Sequence, residues 1–338
     1  MKVKRLIIVS IILIISGFLI SLLVLVLNQF DISKLDDSII SKTYSINGDF
    51  NSIECDLDVS SLNIYYTKDS ENKASCLEKE NITFDIKVEN GILKIKENNN
   101  AKWYDNINFT NNTAVSLFIN KEYFDNLIIK TDTGDISILE SIKFGNINIE
   151  GSTASISFMG FVEGDFKVEL STGDVCINKS IIENLNIKVS TGDIDILESE
   201  ILDNLILKSS TGDMYLSDCL ITNKLTATKN TGRLKMNIVT CDNLEVSSRT
   251  GDTILNNVVI NHDANIESTT GDVKFNNSDA KNIYINTSTG DVTGSIMSHK
   301  IFNVKTDTGK VVIPENIEGV SGLCNITTDT GDIKIYYN

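Results

Sequence analysis

A four-residue phrase of the form Ser-Thr-Gly-Asp returns about every twenty residues through the last two thirds of the chain. It first reads Asp132-Thr133-Gly134-Asp135, then Ser171-Thr172-Gly173-Asp174, and it closes with Asp329-Thr330-Gly331-Asp332. With the glycine as position zero, the corners fall at Gly134, Gly173, Gly192, Gly212, Gly232, Gly251, Gly271, Gly290, Gly309 and Gly331, and Ala154 fills the one gap. Intervals of 19, 20 and, once, 22 residues are too short for a propeller blade. They also lack the leucine spacing of a leucine-rich repeat, which leaves a solenoid of stacked rungs. Such an array grows in one dimension, so 338 residues need not divide into two globular domains.

The rung can be read position by position. Apolar residues stand at −7 (Leu127, Leu185, Leu205, Leu244) and −5 (Ile129, Ile187, Leu207, Val246). They return at +2 and +4 (Ile136 and Ile138, Ile194 and Ile196, Met214 and Leu216). A spacing of two means strands with one buried face rather than helices, with the Lys, Asn, Asp, Glu and Ser between them turned to water. Each rung is therefore two short strands joined by the Thr-Gly-Asp turn, plus a variable third side such as Glu198-Ser199-Glu200 or Asn276-Asn277-Ser278. Successive rungs must pair in parallel and in register at about 4.8 Å, and parallel crossovers are overwhelmingly right-handed. The expected fold is all-β, a right-handed parallel β-helix, and its eleven regular rungs make a rod of roughly 50 Å.

Upstream of the array the chain divides into three. Residues 1–28 read as a cytoplasmic N-terminus and a transmembrane anchor: Lys2, Lys4 and Arg5 precede an uncharged apolar run over residues 6–27. As a helix that run spans roughly 33 Å, enough for a bilayer core. It is too long for a cleavable signal, whose exit would also need small residues. The basic residues before it and Asp31, Asp36 and Asp37 after it place the C-terminal part outside the membrane. Residues 29–48 read as a polar linker. Residues 49–125 read as degenerate N-terminal rungs or a cap, with a charged insertion loop at 68–80 and an Asn-rich loop at 96–113, ahead of the regular rungs at 126–338.

The turn residues have structural roles of their own. Glycine at zero suits a corner of positive φ. Threonine at −1, from Thr133 to Thr330, shares parity with −7 and −5, which points it inward or into the corner and argues against an outward ice-binding threonine lattice. Ser or Thr at −3 (Thr131, Ser209, Ser248, Thr306, Thr328) shares that parity. Aspartate at +1 recurs in eight of eleven rungs and is expected to hydrogen-bond the amides of its own turn. The second reading of Asp174, Asp193, Asp213, Asp252, Asp272 and Asp291 is a calcium-binding edge, since hard cations take carboxylate oxygens. Stacked carboxylates repel by about 1 kcal/mol per neighbouring pair even in water. In sequence order Arg233 and Lys310 interrupt the column, so that no aspartate run exceeds three rungs.

Little else suggests chemistry. A net charge of −16 argues against nucleic acid as a partner. His262 and His299 fall on the variable third side, Arg249 and Lys229 stand apart from paired acids, and no GxSxG, HExxH or P-loop occurs. No catalytic residue and no cofactor is expected. Six cysteines without CxxC spacing read as buried free thiols, with Cys55–Cys76 the pair best placed to bridge if any does.

The segment Val115-Ser-Leu-Phe-Ile-Asn-Lys-Glu-Tyr-Phe-Asp-Asn-Leu-Ile-Ile-Lys-Thr-Asp-Thr-Gly-Asp-Ile-Ser-Ile138 and the later Ser-Thr-Gly-Asp rungs resemble the DUF4097 family of β-strand-repeat adhesin candidates, over about residues 50–338. Asn120 stands where that family usually has a turn proline. The resemblance implies a β-helical domain, often membrane-tethered at the surface of Gram-positive bacteria, in some members near envelope-stress genes. The expectation is a single-pass cell-membrane protein whose extracytoplasmic rod binds or scaffolds an envelope polymer or surface protein. The competing classes are a carbohydrate-active β-helix enzyme and a purely structural spacer.

Overall fold

A computed structural model describes residues 39–100, 113–139, 142–317, 320 and 322–338. Within them the chain is all-β, and its regular part is a coil of parallel strands. Strands Tyr123–Thr133, Lys143–Thr153, Phe161–Thr172 and Ile181–Thr191 stack side by side in register, with Thr133, Thr153, Thr172 and Thr191 aligned. After each corner a second set follows: Ile136–Ile138, Ile156–Phe158, Val175–Asn178 and Ile194–Leu197. The aliphatics at −7, −5, +2 and +4 fill one continuous interior; Leu127, Ile129, Leu205, Leu207, Ile194 and Ile196 are all fully buried. The period-two pattern thus produces the all-β solenoid that the sequence predicts.

The third side is more ordered than its sequence suggests. It carries a buried column of its own, including Phe144, Val162, Ile182, Ile201, Ile221, Cys241 and Ile260, which sits ten or eleven residues before the glycine. The one-residue slippage hides it from a fixed-offset reading. Between the +4 strand and this side lies a second corner, where Lys179, Glu198, Asp218, Ile238, Asn257 and Asn277 adopt φ between 45° and 56°. Left-handed backbone suits Asn and Asp but costs a β-branched residue. Ile238, at φ 55°, is also 54% exposed, so it gains little from burial. Asn277 donates to Asn257 at 2.8 Å along this corner. Ile238→Asn is therefore expected to stabilise the protein by about 1 kcal/mol, read as a higher midpoint of denaturation, by removing strain and lengthening the amide ladder.

The ends depart from sequence order. At the N-terminal end, strand Ser52–Leu57 lies between Ile92–Asn99 and Tyr123–Thr133, and strand Ser61–Tyr66 lies between Ala114–Ile119 and Ile136–Ile138. The chain lays its first rung, travels outward and returns to stack another rung beyond it. The C-terminal end does the reverse. Strand Gly322–Thr330 inserts between Asp279–Thr289 and Lys300–Thr308, so the last rung in sequence is the penultimate in space. An inserted strand is paired on both edges and has no free edge to fray.

Several expectations about the cap need correction. The 29–48 linker includes strand Ile40–Ile46, and the 68–80 loop includes strand Asn72–Glu78; the two pair antiparallel. Strand Ile82–Glu89 pairs antiparallel with Ile92–Asn99, whose residues 96–99 fall inside the segment expected to be a loop at 96–113. These antiparallel strands cover the N-terminal end of the solenoid. All six cysteines are free, Cys55 and Cys76 included, and burial pushes both of those thiols up to about 12. The apolar run 6–27 lies outside the described residues, and among these no helix is long and apolar enough to cross a membrane.

Candidate functional site

The glycine corner is the most repeated local structure, and its geometry follows from close stacking. The corner glycines have φ between 113° and 159°. A Cβ at Gly173, Gly192 or Gly212 would stand 1.9–2.1 Å from the carbonyl oxygen of the preceding corner. The chain bends as soon as it passes −3, so the strand parity ends there. Threonine at −1 is exposed in every rung from Thr133 to Thr330, contrary to the inward orientation expected from parity. Position −3 does face inward: Thr131, Ser209, Ser248 and Thr328 are buried.

The aspartates also bond differently from expectation. Each Oδ1 accepts the backbone N–H of the equivalent residue one rung on, rather than an amide of its own turn. Asp174 accepts from Asp193 at 2.8 Å, Asp193 from Asp213 at 2.7 Å, Asp213 from Arg233 at 2.7 Å, and Asp252 from Asp272 at 3.0 Å. Asp272 then accepts from Asp291 at 3.0 Å, Asp291 from Asp332 at 2.8 Å, and Asp332 from Lys310 at 2.8 Å. Because the last rung is inserted, Asp252, Asp272, Asp291 and Asp332 form an unbroken run of four, and Lys310 terminates the column instead of interrupting it. Repulsion within the run is met from +3, where Lys274 lies 2.9 Å from Asp272 and Lys334 lies 2.6 Å from Asp332. The Lys334 ammonium, followed by the Lys310 amide, holds the Asp332 carboxyl below its usual range. Asp195, by contrast, is raised by burial and by the charges of Asp193 and Asp174.

Among the described residues no three His, Cys, Asp or Glu side chains converge as a metal cage. The six aspartates proposed as a calcium edge are brought together as a ladder, each with one oxygen given to the backbone. Arg233 is the cation that does interrupt the column, with Nε and Nη2 donating to Asp213 Oδ2 at 3.1 and 2.7 Å. Arg233→Asp is expected to lower the melting temperature at low salt, with calcium restoring part of the loss. The new carboxylate would also give the Asp252 amide the acceptor that Arg233 does not supply, so the deficit should close as salt screens the charges. An unchanged melt at low salt would remove the electrostatic role of Arg233.

On the outward face of the N-terminal rungs lies an open groove of about 630 Å³. Asp58, Asp132, Glu150 and Glu169 line it with Lys130 and Lys188, and serines at −2 add hydroxyls. It crosses five rungs, roughly 20 Å at strand spacing. One wall is set by Glu97, which is buried and accepts the amides of Asp58 at 2.9 Å, Val59 at 3.2 Å and Ser60 at 3.1 Å. This carboxylate closes the first rung's corner, which has no glycine. The remaining sequence candidates stay apart: Arg249 is on the exposed −2 column, His262 is exposed, and His299 stacks edge-on against Tyr337 at 4.4 Å.

Three solved structures resemble the chain at low identity. An adhesin candidate from Bacteroides fragilis is 14% identical, with 89% of this chain and 98% of that chain covered and a TM-score of 0.34. A lipid-binding protein candidate from Parabacteroides distasonis is 18% identical, covering 76% and 95%, with a TM-score of 0.43. An adhesin candidate from Parabacteroides merdae is 12% identical, covering 77% and 97%, with a TM-score of 0.40. No curated protein matches the chain. The Toastrack DUF4097 family model matches residues 50–259 and 202–338, the whole extent of the stacked rungs, and the chain belongs to that family.

Proposed function

We propose that the chain is a non-catalytic binding or scaffolding rod of the cell envelope, an adhesin-like β-solenoid coiled in the right-handed sense. Residues 6–27 anchor it in the cell membrane as a single span, and the rungs stand outside the cell. The observation that carries the binding role is the groove across the N-terminal rungs. It is long, open and polar, and it presents carboxylates, ammonium groups and hydroxyls at a constant repeat. That suits an extended, hydroxyl-rich polymer bearing amines better than a compact small molecule, which needs an enclosed, largely apolar pocket. The apolar run and the basic residues before it support the anchor and its orientation.

The test is co-sedimentation of the full chain, in detergent, with peptidoglycan, teichoic acid and host matrix. Retention by one polymer, lost in the Glu150→Lys, Glu169→Lys double variant, is the expected result. Equal retention of the double variant would take the groove out of the reading, and no retention by any polymer would leave a spacer. Labelling of Asn338→Cys on intact cells by a membrane-impermeant maleimide tests the topology. A C-terminus that labels only after lysis would overturn the extracytoplasmic placement.

A further inference from the structure

The inner side of the glycine corner holds a row of oxygen atoms that the groove does not use. Its origin is the aspartate ladder. In a plain parallel coil the amide at +1 would reach the glycine carbonyl of the neighbouring rung; here the aspartate carboxylate takes that amide. The glycine carbonyls are left to other donors. Ser248 donates to Gly251 O at 3.4 Å, Thr306 to Gly331 O at 2.9 Å and Thr328 to Gly290 O at 3.3 Å, all from the inward −3 column.

Lys229 stands in the same column and is 1% exposed. Its Nζ donates to Gly232 O at 2.7 Å, Gly251 O at 3.0 Å and Asp252 O at 3.2 Å. The three carbonyls come from two successive rungs, so the ammonium sits between their corners. Burial pushes its pKa down to about 8, against the opposing charges of Asp252 and Asp213 outside the wall. A cation this deep, held by neutral oxygens, shows what the row can accept.

Two rungs further on the row lacks such an occupant. Ser268 Oγ and Thr287 Oγ1 are buried without a hydrogen-bond partner, at 9% and 1% exposure, and the two residues are aligned neighbours. The carbonyl of Gly271 receives no donor among the described residues. Outside this stretch runs the unbroken column of Asp252, Asp272, Asp291 and Asp332. The geometry points to a buried monovalent-cation site between the Gly271 and Gly290 corners, lined by Ser268 Oγ, Thr287 Oγ1 and the corner carbonyls. Neutral oxygens at 2.7–3.2 Å around the Lys229 ammonium mark the spacing of a large, weakly hydrated ion such as potassium or ammonium. Calcium and magnesium take shorter bonds and want carboxylates.

The test is thermal denaturation of the full chain in detergent, in potassium chloride, ammonium chloride and choline chloride at one ionic strength. The expected result is a melting temperature that climbs with the logarithm of potassium or ammonium concentration and does not respond to choline. Ser268→Val with Thr287→Val should abolish the difference; Val189 already occupies −3 in another rung, so the corner accepts that side chain. Identical melts in the three salts would mean that the oxygens hold water only and would overturn the site. A potassium effect that survives in the double variant would place the ion elsewhere and overturn it equally. Should the double variant fail to fold, anomalous scattering from rubidium-soaked crystals of the unaltered chain decides, with a peak between Gly271 and Gly290 expected and its absence excluding the site.

Discussion

Gly212→Ala is expected to destabilise the solenoid by about 3 kcal/mol or more, seen as a large drop in the denaturation midpoint with loss of cooperativity around the middle rungs. Two effects add. The backbone at Gly212 has φ of 140°, a region almost closed to residues with a side chain. The added methyl would also stand 1.9 Å from Gly192 O and 2.6 Å from Gly192 C, which are backbone atoms and cannot swing aside. Relief requires the rungs to part, and parting them breaks the Asp193–Asp213 ladder bond of 2.7 Å and the Gly192 amide bond to Thr211 O of 2.9 Å. Gly91→Ala supplies the contrast. Its φ is 76°, yet nothing lies within 4 Å of the place its methyl would take, so it should cost only the backbone strain. Equal losses in the two variants would show that stacking distance is not what demands glycine at the corner.

Lys300→Met is expected to cost about 3–5 kcal/mol, because it strips one partner from a buried ion pair. Lys300 belongs to the outermost rung and is 1% exposed, and its Nζ lies 2.8 Å from Asp279 Oδ1, whose side chain is 10% exposed. Asp279 lies two rungs away, since strand Gly322–Thr330 runs between the strands that carry the pair. The lysine passes over Gly322, where a Cβ would stand 3.0 Å from Lys300 Cδ. The pair therefore closes like a staple across the inserted final rung. Combining Lys300→Met with Asp279→Leu should recover much of the loss by removing the stranded carboxylate, and limited proteolysis of the single variant should cut first near the C-terminus. If the double variant is no better than the single one, the loss comes from packing around Gly322 and not from the stranded charge.

The sequence alone determined the coil. The recurrence of Gly192, Gly212 and Gly232, and the alternation of Leu205, Leu207, Met214 and Leu216, state a period and a buried parity, and both depend only on neighbours along the chain. They are legible because strand pleating repeats every two residues and each rung repeats the last. The inward −3 column was legible for the same reason. Parity failed at Thr211 and its equivalents because the chain had already begun to turn, and it missed Ile201 and Ile221 because the third side slips by one residue. Glu97, Lys274 and Lys334 carry no repeat signal: Glu97 takes its role from a neighbour in space, a first corner without glycine, and Lys274 and Lys334 from the column of aspartates that the stacking assembles beside them.

Tertiary structure alone decided how the ends are threaded. Nothing local in residues 322–338 distinguishes a rung that stacks last from one that slides in beneath its predecessor. The choice rests on Lys300 reaching Asp279 across Gly322, and on both edges of the inserted strand finding partners. That choice in turn set the charge order of the ladder, placing Asp332 against Asp291 and leaving Lys310 at the tip. A linear pattern fixes which side chains share a face; which rung is its neighbour is settled by contacts between residues far apart in the chain, and the electrostatics of the stack follow from those contacts.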